Sequence, residues 1–200
     1  MEGDAGAPVD HWSVTYGSHL LKTVIAIESY GSRTADPRAG KLVDQLLGDL
    51  TPLSLDGRFV THAGAKITYL HAACYAIEGL LWLRDRGRSG LDATVRAAAA
   101  WLARVQAQEG GLRAWHDGSS AWGERHADVA AQAIRIWAAV DRRAYDPHIR
   151  EGLRYLASLQ TTEGGVRYHP SSGDVNTWCT LFALQASRWA AGGAAVARLI

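Results

Sequence analysis

An all-α fold of helical hairpins stacked in two layers is predicted by two features of the sequence. The first is an internal repeat. The stretch WLARVQAQEGGLRAW (101–115) returns 54 residues later as YLASLQTTEGGVRY (155–168). Trp101/Tyr155, Gln106/Gln160, Glu109/Glu163, Gly110/Gly164, Gly111/Gly165 and Arg113/Arg167 correspond, and self-similarity at one offset is the mark of stacked repeats. The second is an alternation of helix types. Segments 14–30, 63–86, 125–140 and 174–190 read as helices apolar nearly all round, which must be enclosed. Segments 36–50, 92–108 and 146–160 read as amphipathic. An inner row of enclosed helices within an outer row of amphipathic ones satisfies both, and such stacks curve.

Each element has its own signal. Residues 1–9 read as a loose leader ahead of a single repeat domain, 10–200. The run LLKTVIAI (20–27) makes the first inner helix, with Gly31 as its stop. Asp36 caps the second helix with Pro37 in its first turn, and Leu42, Leu46, Leu47 and Leu50 give it one apolar stripe. Segment 51–60 is a loop where later units carry Glu-Gly-Gly, and Gly57 stands 54 residues before Gly111. The long helix 63–86 ends at Gly87. Asp92 opens the next, whose buried face is Val95, Ala98, Ala99, Leu102 and Val105. Asp146-Pro147 repeats the Asp-Pro start. Segments 109–123 and 161–173 read as polar loops, and Gly192-Gly193 precedes a short tail. The repeat units are thus approximately 36–87, 90–140 and 146–190.

Composition narrows the function. Two hundred residues form one domain able to bury roughly 70% of its unfolded surface. A net charge of +1 with scattered basic residues predicts no nucleic-acid partner. No apolar run of roughly 18 residues is present, so no membrane span is expected. There is also no secretory leader pattern. Cys74 and Cys179, buried in apolar runs, predict reduced thiols and a cytoplasmic protein. Eight tryptophans demand a use.

Polar residues interrupt the inner helices in register. Aligned on their apolar runs, His71, Asp128 and Asn176 share the first turn. Tyr75, Gln132 and Thr180 share the next, and Glu78, Arg135 and Ala183 the one below; spacings of four and three keep each set on one face. His19 and Lys22 extend the series near the mouth. Glu78 and Arg135 are predicted to pair, because a lone buried charge is costly. Asp128 and Asn176 double as helix caps; His71 does not. The loops above bring Trp115, Trp122, Glu124, His126, Tyr168 and His169 to the rim. Trp115 and Tyr168 read first as lids folded over the hairpins, Trp122 and His126 as more open contacts. The expected catalytic set is His71, Asp128 and Glu78. The expected substrate-binding set is Tyr75, Gln132, Arg135, Asn176, Trp122, His126 and Trp115.

The two Gln-…-Glu-Gly-Gly repeats, each with an aromatic after the turn, resemble the repeat of squalene–hopene cyclases and protein prenyltransferase β subunits. YLHAACYAIEGL (69–80) is similar to the helix start in which prenyltransferases place a zinc-binding His. The resemblance covers the chain from about residue 40 onward and implies an (α/α) toroid or open arc of about three and a half hairpins. It implies a small apolar, isoprenoid-like substrate handled by acid–base chemistry in a central cavity. The cyclases' protonating D-x-D-D motif and the D-D-x-x-D diphosphate motif are absent. No cofactor is expected. Zinc, with His71 and Asp128 or Asp174 as ligands, is the exception to weigh. Helical toroids also carry sugar epimerases, lyases and glycosidases, so a carbohydrate substrate is the alternative. A non-catalytic oligomerising scaffold is a third reading. So short a ring is left open, continues in a longer chain, or is closed by a second copy of the chain.

Overall fold

The computed structural model describes residues 12–193; the leader 1–9 and the tail 194–200 lie outside the described residues. Seven α-helices are found among the described residues: α1 (Val24–Thr34), α2 (Pro37–Leu50), α3 (Leu70–Asp85), α4 (Asp92–Val105), α5 (Ala127–Asp141), α6 (Asp146–Ser158) and α7 (Thr177–Arg188). Two rows form as expected. A 3-10 segment, Ser18–Thr23, packs on α3, α3 on α5, and α5 on α7. Outside them, α2 covers α1, α4 bridges α3 and α5, and α6 bridges α5 and α7. The fold is a helical arc of the α/α-toroid type. No helix among the described residues is long and apolar enough to cross a membrane.

Burial follows helix type in the middle of the stack, whereas α1 and α7, read as apolar all round, bury only Val24 and Ile25 and only Cys179, Ala183 and Ala186, respectively. In α3 and α5 nearly every residue is enclosed, whereas α2, α4 and α6 bury one stripe. The tryptophans find their use partly here. Trp82, Trp101, Trp137 and Trp189 lie in the core. Trp137 stitches the rows, its indole N–H donating to Ala99 O on α4 at 3.0 Å, and Trp82 ties α3 to α1, donating to Glu28 at 3.1 Å. Such pairing is what a buried indole requires.

The repeat is reproduced bond for bond in its turns. Ala107 N donates to Gly111 O (2.9 Å) and Thr161 N to Gly165 O (2.8 Å), while Gly110 N and Gly164 N donate back to Ala107 O and Thr161 O. The repeated glutamines span the same turns, Gln106 to Gly110 O and Gln160 to Gly164 O, and Gln106 also reaches His148 O at 3.0 Å. The first unit has the turn too, but its Gly57 matches Gly110, not Gly111. Both have φ near +85°, and a Cβ on either would sit on an outer-helix carbonyl, Ala97 O for Gly57 and Glu151 O for Gly110. Glycine is required twice over there, by backbone conformation and by contact.

Four expectations are corrected. The first inner helix, expected over 14–30 with Gly31 as its stop, is instead the 3-10 segment Ser18–Thr23 running into α1, which passes Gly31 and ends at Thr34 before a left-handed Ala35. Residues 63–69 are not helical: they turn at Gly64 and form β3 (Thr68–Tyr69), so α3 starts at Leu70. Segment 109–123 is not an irregular loop. It carries β4 (Arg113–His116), which hairpins onto β5 (Ala121–Arg125) and pairs on its other side with β3. A further two-stranded ladder, β1 (Ser54–Leu55) with β2 (Arg58–Phe59), forms the first turn. These strands decorate one end of the arc and add no layer. Periodicity missed β3 because its partner lies some 46 residues away, Tyr69 opposite Trp115, and missed the two hairpins because their strands are too short to show an alternation. Lastly, α7 begins at Thr177, three residues later than 174, because Asn176 caps it.

Close approach of the 3-10 segment to α3 rests on Gly79, whose added Cβ would lie 2.0 Å from Leu21 O. Gly79→Ala is expected to cost about 3 kcal/mol or more and to lower the melting temperature by roughly 6–12 °C. Gly48→Ala on α2, where nothing lies within 4 Å, should be neutral or stabilising by about 0.5–1 kcal/mol. Thermal melts followed by circular dichroism check both.

Candidate functional site at the mouth of the inner helices

The first turns of α3, α5 and α7 lie together at the end of the arc roofed by β3–β5. His71 is the second residue of α3 and Asp128 the second of α5. The same helical position in α7 belongs to Trp178. Counting from helix starts therefore moves the α7 register by two residues. The matched sets become His71/Asp128/Trp178, Tyr75/Gln132/Phe182 and Glu78/Arg135/Gln185. Asn176, expected in the first set, spends its side chain on the cap, accepting from Cys179 N at 3.0 Å. The corrected register is borne out by contacts. Trp178 lies beside the Tyr75 hydroxyl. The Arg135 guanidinium lies 4.2 Å from the Phe182 ring centre, and its Nη1 bonds Gln185.

At the mouth, His71 Nδ1 is 3.1 Å from Asp128 Oδ2, and both residues are over nine-tenths buried. Asp128 sits in the first turn of α5, where the helix dipole favours an anion, and its other oxygen accepts from Val129 N. Rings surround the pair. Tyr75 meets His71 edge-on at 4.3 Å, Tyr69 stacks on Trp115 at 4.6 Å, and His126 on Tyr168 at 4.3 Å. The Tyr168 hydroxyl is 3.0 Å from His126 Nδ1 and lies close to the Tyr69 hydroxyl, setting Tyr69, Tyr168 and His126 in a row. Burial, then the Asp128 charge, pushes the Tyr69, Tyr168 and Cys179 groups up, Cys179 to about 12. Burial, then Glu78 and Asp128, raises Tyr75 to about 12. Burial lowers His126 against the opposing pull of Asp128. The mouth thus holds phenols kept protonated and a histidine kept neutral near pH 7, around one carboxylate.

Two turns deeper, Glu78 is fully buried and holds two cations. Arg135 Nη2 is 2.5 Å from one of its oxygens and Lys22 Nζ is 2.8 Å from the other. Lys22 therefore lies at the Glu78 level and not at the mouth. Between the levels, Gln132 is 0% exposed, and neither side-chain atom has a hydrogen-bond partner among the described residues.

Of the remaining expected residues, Trp115 packs against Tyr69 and Tyr168 against His126, so their rings wall the mouth. Trp122, 37% exposed, faces Trp115 across the β4–β5 hairpin. Glu124 accepts from Ser171 at 3.2 Å. Sequence reasoning missed Tyr69, Trp178, Phe182 and Gln185; counting from the Asn176 cap would have found the last three. No three His, Cys, Asp or Glu side chains among the described residues are placed to hold a metal ion, so His71 and Asp128 lack a third ligand. Cys74 and Cys179 are both free thiols. A cavity of about 470 Å³ opens at the opposite end, where Glu28, Asp36, Arg86 and Arg88 line it. Its charges are already matched, Arg86 with Glu28, Arg88 with Asp44 and Asp36 with Arg38.

No protein-family model matches the sequence, and no curated protein matches it. Solved structures do. A glycosyl hydrolase of family 88 from Bacteroides vulgatus superposes with a TM-score of 0.67 at 14% identity, over 94% of this chain and 63% of that one. A polysaccharide lyase superposes with a TM-score of 0.70 at 15% identity, over 98% of this chain and 65% of that one. At such identities the likeness shows the fold, that of helical α/α-toroid proteins. The chain spans about two thirds of the length of these structures. Neither is a cyclase or a prenyltransferase: the toroid implied by the sequence resemblance stands, and the terpenoid activity gains no support.

Two outcomes are expected. Glu78→Gln leaves Arg135 and Lys22 with no full counter-charge and should cost about 3–5 kcal/mol, measured by denaturant unfolding. The second concerns acid. The folded His126 resists protonation, while the unfolded chain takes up the proton near 6.5. Its contribution is fully present above that pH and is lost as the pH falls from it through the depressed folded value. His19 and His116 are lowered by burial in the same sense. Melting temperature should fall below about pH 6.5, and less steeply in His126→Gln, in melts across pH 5–8.

Proposed function

We propose that the protein is a carbohydrate-acting enzyme of acid–base type, with its site at the mouth of the inner helices. The observation that carries this is the buried His71–Asp128 pair, 3.1 Å apart, set inside a wall of tyrosine and tryptophan rings. Aromatic faces bind the apolar faces of sugar rings, and a carboxylate–imidazole pair moves protons. The names of the two structural neighbours, a glycosyl hydrolase and a polysaccharide lyase, support a saccharide over an isoprenoid. So does the polar, hydrogen-bonding character of the mouth.

The chemistry favours elimination over two-carboxylate displacement. A glycosidase of the usual kind places two carboxyl groups about 5–10 Å apart across the bond. Here the next buried carboxylate, Glu78, is neutralised by Arg135 and Lys22. The mouth instead offers one proton acceptor, the Asp128–His71 pair, and one proton donor, Tyr168, which stays protonated at neutral pH. The pair removes a proton from carbon, the neighbouring C–O bond breaks with formation of C=C, and Tyr168 protonates the departing oxygen. Tyr75, Trp115, Trp178 and Gln132 orient the sugar, with Trp122 an outer contact; Arg135 positions through Glu78 and Gln185.

Incubation with a panel of neutral and acidic oligosaccharides tests this, reading new reducing ends and the ultraviolet absorbance of a conjugated C=C product. Both signals should rise together, and Asp128→Asn, His71→Gln and Tyr168→Phe should each reduce kcat by about 10²-fold or more with the helical spectrum unchanged. Reducing ends without the chromophore would establish hydrolysis in place of elimination. An Asp128→Asn variant as active as the parent, or no binding of any saccharide, would refute the site.

A further inference from the structure

The α7 helix buries Cys179, Ala183 and Ala186 against α5 and leaves an apolar stripe outward. Trp178, Leu181 and Leu184 are each more than half exposed, as is Val175 just before the helix. On a helix in the inner row of a stacked fold, such an exposed apolar face requires a partner. We propose that it is the interface of a two-fold symmetric dimer, in which the α7 helices of two copies of this chain pack antiparallel.

The stripe is complementary to itself about Leu181. Trp178 and Leu184 lie three residues to either side, about 4.5 Å along the axis and about 60° to opposite sides of the Leu181 direction. A two-fold axis in front of Leu181, perpendicular to the helix axis, brings the two central leucines together and sets each Trp178 level with the partner's Leu184, the two Trp178 rings along one side of the seam and the two Leu184 along the other. The charges obey the same symmetry. Asp174, exposed, stands on the approach to the helix seven positions before Leu181, and Arg188, exposed, closes it seven positions after. Antiparallel pairing faces each acid with a base at both rims, and the opposed helix dipoles add to this. Parallel packing would set like charges together. An interface that repeats one patch on both subunits is what a closed dimer demands. It would also cover Trp178, which lies beside Tyr75 at the mouth, so the second copy would form one edge of the site.

The test is sedimentation of the full chain over about 1–100 µM for the parent, Leu181→Glu, Asp174→Arg, Arg188→Asp and the double reversal Asp174→Arg/Arg188→Asp. The parent should be dimeric. Leu181→Glu should raise the dissociation constant by about 100-fold or more, with circular dichroism and melting of the monomer unchanged. Each single reversal should weaken the dimer about three- to tenfold, and the double reversal should restore it to within about twofold. A parent monomeric throughout, a dimer that survives Leu181→Glu, or a double reversal no tighter than the singles overturns the proposal. So does a monomeric Leu181→Glu chain of markedly lowered melting temperature, which would mean that segment 194–200 covers the stripe.

Discussion

Glu78, gripped on one side by Arg135 and on the other by Lys22, is the interaction on which the inner row turns. It ties three successive inner elements at one level: the 3-10 segment, α3 and α5. Arg135 carries the tie to α7 through Gln185 and Phe182. Apolar packing alone leaves neighbouring helices free to slide by a turn at small cost, since one alanine or leucine row resembles the next. A buried ion pair does not slide, because each charge left alone in the core costs several kcal/mol. The network therefore sets the vertical register of the inner helices.

That register builds the mouth. With Glu78 level with Arg135, the residues seven positions back on each helix, His71 and Asp128, must also come level, two turns up. Their contact is a consequence of the deeper pair, and Gln132 lies boxed between the two. The β3–β4–β5 ladder then fixes the roof, clamping Tyr69 and Trp115 over the pair, while the next turn delivers Tyr168 to His126. Rigid inner helices supply the acid–base groups and the loops supply rings, a division suited to a saccharide, whose chemistry is local and whose binding is by flat faces.

Much of this was legible in the chain. Alternating helix character foretold two rows, because a helix apolar on every side has nowhere to be but inside. The repeated Gln and Gly-Gly foretold identical turns. The pairs His71–Asp128 and Glu78–Arg135 could be read from spacing, since i, i+4 and i+7 share a helical face whatever the tertiary context. The resemblance to cyclases and prenyltransferases carried the architecture, whereas its chemistry rested on motifs this chain lacks. What spacing could not reveal was Lys22 at the level of Glu78, Tyr69 beside Tyr168, the strand at 68–69, whose partner is distant in sequence, or the short strands of the hairpin at 113–125.

From sequence alone came the helices, their inner or outer station and the polar ladder on α3 and α5, because periodicity, caps and the cost of burying charge act within one segment. Tertiary structure alone decided which residue of α7 meets that ladder. Asn176 gave its side chain to a backbone N–H and started the helix late, so Trp178, Phe182 and Gln185 took the places that apolar alignment had assigned to Asn176, Thr180 and Ala183. A cap is worth about 1 kcal/mol, small beside a core. It nonetheless shifts every residue behind it by a fixed angle, and only the packed structure shows which starting point won.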